Sequence, residues 1–360
     1  MKVVTVLGAR PQFIKAAPVC TALAQAGHQE ILVHTGQHYD RQMSDVFFEE
    51  LGIPEPAVNL GVGSGSHGRQ TAQMLAGIED VLLEQRPDWM LVYGDTNSTL
   101  AGALAACKLE IPIAHVEAGL RSFNRSMPEE HNRVLVDHCA DVLFCPTQTA
   151  VSHLATEGIT RGVHLVGDTM FDAVLQFGER AEQRSSLLTG LSLDNQDFVL
   201  ATVHRPYNTD DPVRLTNLLR AFVSLPYPVV FPVHPRTRGR IADVQHDVPG
   251  IERLRMIEPV SYLEMLVLEK RARFVLTDSG GVQKEAFFFG VPCLTLRPET
   301  EWVETVQAGM NIVVDTDPVR IEQLVRFHEW PRGVRLPGLE PGADQRIVRI
   351  LEENVRPRTS

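Results

Sequence analysis

The sequence predicts an α/β protein made of two doubly wound parallel-sheet domains, and three observations predict it. The chain has 360 residues, beyond the roughly 250–300 at which a single core stops growing. Short β-branched runs alternate with longer segments of helical period, the βαβα rhythm of parallel strands joined by crossover helices. The rhythm pauses once, over residues 180–197, and then restarts.

In the first half, runs at 3–7, 31–34, 89–93, 111–116, 142–145 and 163–166 are near-continuously apolar and read as strands buried on both faces. Helical segments lie between them at 11–26, 71–84, 98–108 and 129–139. The pause is polar, with Gln, Ser and Asn and little β-branching, so it reads as a linker or a mobile helix end. The second series has strands at 198–203, 229–233, 254–257, 274–277, 293–296 and 312–314, with helices at 213–224, 262–270, 282–289 and 319–327. A Pro/Gly-rich loop, 331–342, precedes a last amphipathic helix near 344–355. Two domains are expected, 1–178 and 197–330, with an active-site cleft between them.

Apolar residues make up 44 % of the chain and charged residues 22 %, the balance of an ordered globular protein. A net charge of -11 argues against nucleic acid or an anionic membrane as partner, since both need a basic footprint. Local Arg and His clusters leave a small anionic ligand open. No run approaches the ~18–20 apolar residues that span a bilayer. The apolar opening is broken by Arg10 and Pro11, which suits a buried first strand rather than a leader peptide. Five cysteines, scattered and without C-x-x-C spacing, suit the reduced thiols of a cytoplasmic enzyme better than disulfides or zinc.

In open parallel sheets, ligands bind outside the carboxyl ends of the strands. After the first strand comes Gly8-Ala9-Arg10-Pro11, with Lys15 one turn later. Gly8 permits a tight turn, Pro11 suits a first helical position, and Arg10 stands at a helix N-terminus, where anions are favoured. The second strand leads into Gly36-Gln37-His38-Tyr39-Asp40, and the third into Gly94-Asp95-Thr96-Asn97-Ser98-Thr99. Asn97 or Ser98 can cap the helix there, which leaves Asp95 for chemistry. The next strand ends in His115-Val116-Glu117-Ala118-Gly119-Leu120-Arg121. A carboxylate at an apolar strand end is costly unless paired, and Arg121 or His115 is the expected partner of Glu117. Glu129 and Glu130 begin the following helix, where acids also complement the macrodipole. Three acids at one sheet edge suit general acid–base work at carbon.

The second half carries the opposite charge. Its strands end in His204-Arg205-Pro206 and in His234-Pro235-Arg236-Thr237-Arg238, clusters suited to a diphosphate. A third strand runs into Asp278-Ser279-Gly280-Gly281, with Glu285 a turn later. The glycine pair exposes backbone N–H groups to a phosphate, and Glu285 is placed for ribose hydroxyls. G-x-G-x-x-G is missing after the first strand, as are G-x-x-x-x-G-K-[ST], G-x-S-x-G and H-E-x-x-H, so NAD, P-loop, hydrolase and zinc chemistries are unsupported. No cofactor and no metal are expected.

Taken together, GARPQFIK, TGQHYD, GDTNSTLAG, HVEAGLRS, MPEEHNR, HR at 204, PVHPRT, TDSGGVQKEA and TEW resemble the non-hydrolysing UDP-N-acetylglucosamine 2-epimerases. The resemblance implies a GT-B-like pair of Rossmann-like domains, with a C-terminal helix (344–356) returning to the first. It implies Asp95, Glu117 and Glu129 as catalytic carboxylates and His204 as catalytic-site histidine. It also implies Arg10, His234, Ser279, Gly280, Gly281 and Glu285 as groups that hold UDP, and Lys15 and Arg205, at the same strand ends, are further candidates for holding the substrate. Some family members bind a second UDP-sugar as activator, for which Gln37, His38 and Arg69 are candidates, although Asp40 stands where a glutamine is usual.

Tyr207 replaces a frequent acid, and Trp302-Val303 replaces Arg-Pro after the acidic pair. NTDDPVRL, HPRTRG, YLEM and KEAFFFG look like the subgroup acting on UDP-2,3-diacetamido-2,3-dideoxyglucuronate. The expected reaction inverts C2 of that sugar or of UDP-N-acetylglucosamine, by eliminating UDP to a glycal and adding it back, for surface-polysaccharide precursors. A homodimer is expected. The competing reading is a UDP-sugar glycosyltransferase on the same scaffold.

Overall fold

The structure is a computed structural model that describes residues 1–36, 48, 50–184, 186–331, 333–334 and 339–355. The chain divides into two compact units, Met1–Gln176 with Gly338–Ser360, and Phe177–Pro337.

The first unit holds seven parallel strands in the order β3-β2-β1-β4-β5-β6-β7. They are β1 (Lys2–Leu7), β2 (Gln29–His34), β3 (Val58–Asn59), β4 (Trp89–Tyr93), β5 (Ile113–Val116), β6 (Val142–Cys145) and β7 (Val163–Leu165). Helices α1 (Arg10–Gln25), α2 (His67–Gln85), α3 (Asn97–Lys108), α4 (Pro128–Cys139) and α5 (Gln148–Thr156) join them, and α6 (Thr169–Arg184) leads on to the second unit. Every residue of β4 is buried, as a strand covered on both faces requires. Met74, Ile78 and Leu82 of α2 and the alanines of α3 pack on Val4, Val6, Val33, Met90 and Val92. Gly102 lets α3 lie close, since a Cβ there would come within 3.1 Å of Val92. Strand order reverses between β1 and β4, the switch point at which open sheets bind ligands.

The second unit repeats the plan with six parallel strands, β10-β9-β8-β11-β12-β13. These are β8 (Val199–Thr202), β9 (Val229–Pro232), β10 (Arg255–Ile257), β11 (Phe274–Thr277), β12 (Cys293–Thr295) and β13 (Asn311–Val313). Its helices are α7 (Leu187–Gly190), α8 (Pro206–Thr209), α9 (Pro212–Ser224), α10 (Pro235–Val244), α11 (Tyr262–Arg271), α12 (Gly280–Phe288), α13 (Val303–Gln307) and α14 (Pro318–Phe327). The switch point falls between β8 and β11. Residues 180–197 are not a linker: α6 runs to Arg184, and Leu187, Leu188 and Leu191 pack against Leu193, Phe198 and Val230. Their leucines at helical spacing outweigh the polar average of the stretch.

The last helix, α15 (Ala343–Glu353), packs against α1 of the first unit. Trp89 Nε1 donates to the Leu351 carbonyl at 3.2 Å. Its N-terminus is capped from α6, where the Asp172 carboxylate accepts from the backbone N–H of Gly342 at 2.7 Å and of Asp344 at 3.0 Å.

Candidate active site

The β1–β4 switch point of the first unit is built around Gln12, which no motif reading singles out. Its Oε1 accepts from the N–H groups of Gly8 and Ala9, at 2.8 and 3.0 Å. Its Nε2 donates to the Tyr93 carbonyl at 2.8 Å and to Thr99 Oγ1 at 3.0 Å. One buried amide thus satisfies all four of its hydrogen-bonding positions and ties the loop after β1 to the end of β4. Gly8 is obligatory, because a Cβ there would fall 2.0 Å from Ser98 Oγ. Arg10 opens α1 with an exposed side chain.

At the end of β4, Thr96 rather than Asn97 or Ser98 caps α3, accepting from Thr99 N. Asp95 is therefore free of capping. Its carboxylate accepts from Arg133 Nη2 at 2.6 Å, and Asn132 Nδ2 donates to its backbone carbonyl at 2.9 Å. A third of the side chain remains accessible (33 %). Burial raises the Asp95 carboxyl above its ordinary pKa; Arg133 and Lys15 oppose the shift, while Glu117 and Glu129 add to it. Both other acids of the sequence reading, Glu117 and Glu129, thus act on the Asp95 carboxyl. Glu130 turns elsewhere, accepting from Ser122 N, Ser122 Oγ and Phe123 N, each at 2.9 Å.

Glu117 corrects an expectation. Neither Arg121 nor His115 partners it: both bind Asp137, and Lys15 Nζ donates to Glu117 Oε2 instead. Lys15 is thus held by an acid of the same site. The pair is almost enclosed, with 13 % and 7 % of the two side chains accessible. Glu117 has φ +68°, a left-handed conformation that costs a non-glycine residue of order 1–3 kcal/mol and persists where surroundings impose it. Gly94 takes the left-handed φ of +62° that favours glycine, and a Cβ there would make only ordinary contacts with the pair, 3.4 Å from Glu117 Oε2 and 3.7 Å from Lys15 Nζ.

In the second unit the organising residue is Asp278, fully buried at the end of β11. Its carboxylate accepts from His204 N at 3.1 and 3.2 Å, Arg205 N at 3.0 Å and Asn208 Nδ2 at 3.0 Å, and His204 Nδ1 lies 3.2 Å from it. The loop after β8 is thereby shaped by one charge. About half of the His204 side chain is accessible (54 %). Desolvation lowers its pKa; Asp278 opposes the shift, and Arg205, His234 and Arg297 add to it. Arg297 is itself held by Glu301 through two hydrogen bonds, at 2.8 and 2.9 Å. Tyr207 lies under the Arg214 guanidinium, 5.1 Å from ring centroid to carbon.

His234 caps α10, its Nδ1 accepting from Arg236 N at 3.3 Å. Ser279 caps α12, so Gly280 and Gly281 contribute the first N–H groups of that helix. A Cβ on Gly280 would meet Trp302 Nε1 at 3.4 Å, and Lys284 Nζ sits 4.0 Å above the Trp302 ring. Burial raises the Tyr262 hydroxyl well above its ordinary pKa, and the buried Glu285 adds to the shift. Anion-directed N–H groups and cations therefore share one sheet edge with a buried acid.

Arg69 lines a cavity of about 530 Å3 with Val62, Gly63, Ser66, Gln70 and Gln73. Gln37 and His38 lie outside the described residues. Among the described residues no cluster of His, Cys, Asp and Glu could hold a metal ion, and no helix is long and apolar enough to cross a membrane.

Residues 21–352 match the family model described as UDP-N-acetylglucosamine 2-epimerase. A UDP-2,3-diacetamido-2,3-dideoxy-D-glucuronate 2-epimerase of Pseudomonas aeruginosa is 54 % identical, over 87 % of this chain and 88 % of its own. A UDP-N-acetylglucosamine 2-epimerase homolog of Methanococcus maripaludis is 50 % identical, over 98 % and 99 %. The crystal structure of Methanocaldococcus jannaschii UDP-GlcNAc 2-epimerase in complex with UDP-GlcNAc and UDP superposes with a TM-score of 0.86 at 43 % identity, over 98 % of this chain and 100 % of that one.

Proposed function

The chain belongs to the UDP-N-acetylglucosamine 2-epimerase family, and on that premise we propose that it inverts C2 of a UDP-linked acetamido sugar without hydrolysing it. The substrate is UDP-N-acetylglucosamine or UDP-2,3-diacetamido-2,3-dideoxyglucuronate, and the product a surface-polysaccharide precursor. The observation that carries this reading is that Asp95 and Glu117 follow neighbouring strands, each paired with a cation, Arg133 and Lys15, while Glu129 acts on the same Asp95 carboxyl. A glycosyltransferase needs the nucleotide groups but has no use for three acids around one carbon.

The C2 hydrogen is not adjacent to a carbonyl, so its removal has to be coupled to cleavage of the C1–oxygen bond. The C2–H electrons then form the C1–C2 double bond of a glycal as UDP leaves. Delivery of a proton to the opposite face and return of the UDP oxygen to C1 complete the inversion. Glu117, beside an ammonium, is suited to be the base. Asp95, which keeps its proton above the usual carboxylate range, is suited to be the acid. Glu129 adds a third carboxylate to the same field. Arg10, His204 and Arg205 are assigned to the departing diphosphate, with Ser279, Gly280 and Gly281 on a phosphate, and His234 and Glu285 on the nucleoside. We place the enzyme in the cytoplasm as a homodimer, in keeping with the family resemblance.

Incubation with each candidate substrate in heavy water, followed by NMR, tests the reading. C2-deuterated, still UDP-linked product is expected from at least one of them. Free sugar with UDP, or no exchange at all, would refute it. Asp95→Asn and Glu117→Gln are expected to lower exchange at least about 10²-fold while UDP still binds.

A further inference from the structure

His115 lies on β5, two residues before Glu117, with no accessible surface, and the reaction above gives it no part. Its Nδ1 is 2.7 Å from Asp137 Oδ1 and its Nε2 is 2.7 Å from the Gly94 carbonyl oxygen. A carbonyl oxygen can only accept. Asp137 also accepts, since the other groups on its carboxylate are donors. Its Oδ2 takes Gly119 N at 3.1 Å and Arg121 Nη1 at 2.7 Å. Both ring nitrogens of His115 therefore face acceptors. A neutral imidazole carries one N–H, and its bare nitrogen would set a lone pair against an oxygen at 2.7 Å on a ring with no accessible surface.

We propose that His115 is an imidazolium, and that it is the positioning residue which holds the Asp95 and Glu117 loops in register. Through Nε2 it fixes the carbonyl of Gly94, the residue before Asp95. Through Asp137 it fixes Gly119 N–H, two residues after Glu117, together with Arg121. The surrounding charges make a buried cation tolerable. Arg121 continues to Glu157, with Nε and Nη2 donating to its two carboxylate oxygens at 2.7 and 2.8 Å. His115 and Arg121 are thus balanced by Asp137 and Glu157. His138 stands at the outer edge of the group, 3.9 Å from Glu157. Cys145 of β6 acts on the same charges, and burial pushes its thiol up to about 12, so it stays neutral. The Lys15–Glu117 pair supplies a separate balance one loop away.

The positioning role rests on the epimerase reading, whereas the protonation state does not, and the experiment separates them. In the full-length protein labelled with 15N-histidine, one ring protected from exchange should show two N–H resonances at pH 7.5, and they should vanish in His115→Gln. A protected ring with one N–H and one bare nitrogen would overturn the proposal, whether or not the protein epimerises anything. In His115→Gln, kcat should fall about 10²-fold, the scale of a misplaced reacting group, while UDP affinity changes less than threefold. His115→Gln turning over within threefold of the unmodified protein would overturn the positioning role. An unmodified protein that fails to exchange C2 while keeping both ring resonances would condemn the reaction assignment instead. Should His115→Gln not fold, the resonances of the unmodified protein still decide the matter.

Discussion

Glu269, on α11, is fully buried, and neither of its carboxylate oxygens finds a hydrogen-bond partner among the described residues. Burial raises its pKa well above the ordinary value, and Glu285 adds to the shift. The sign of the linkage follows from that direction. A folded value above the unfolded one means that stability is complete below about pH 4.3 and is lost as pH rises toward the folded value, at about 1.4 kcal/mol per pH unit. Glu269→Gln removes the proton equilibrium and should melt higher than the unmodified protein at pH 8, with the advantage shrinking toward pH 4. An equal difference at both values would mean that Glu269 is ionised in the fold. At this scale the sequence reads well where chemistry is local: Asp95 and Glu117 stand out because acids are unusual at apolar strand ends, whereas Glu129, at a helix start, is marked by the family resemblance. Gln12 and Asp278 do not, because a buried amide or acid that shapes a loop looks from sequence like any turn residue.

Elements were legible where period and punctuation agree. β4 is an uninterrupted apolar run, and α9 begins Asp211-Pro212 with the Asp211 carboxylate accepting from Val213 N and Arg214 N. α8 and α10 were missed, although both start with proline at the first helical position, because PYNT is one turn long and PRTRGRIADV carries little apolar stripe. β3 has two residues, too few for any alternation to show. The loop from β8 into α8 owes its form to Asp278 rather than to its own residues. Asp278→Ala would leave two backbone N–H groups and Asn208 Nδ2 without their acceptor. It should therefore lower UDP affinity at least tenfold in calorimetric titration and cost roughly 2–4 kcal/mol of stability. Undiminished UDP affinity would remove this loop from the nucleotide site.

For the molecule as a whole, the restart of the βαβα rhythm announced two sheets, and each carries its own switch point. The homodimer proposed above is checked by sedimentation, where twice the mass of one chain is expected and a single-chain mass would remove it. By itself the sequence determined where every strand but β3 falls along the chain, the turn residues that follow those strands and the chemical character of each edge, acidic in one unit and basic in the other. These follow from side-chain period and turn preference, which act over a few residues. Only the tertiary structure decided the pairings. Lys15 reaches Glu117 across 102 residues, and His115 takes Asp137 and Gly94 rather than the nearer carboxylate. A buried charge takes whichever opposite charge the packed backbone brings within hydrogen-bond distance, and that distance depends on how helices and loops lie against the sheet.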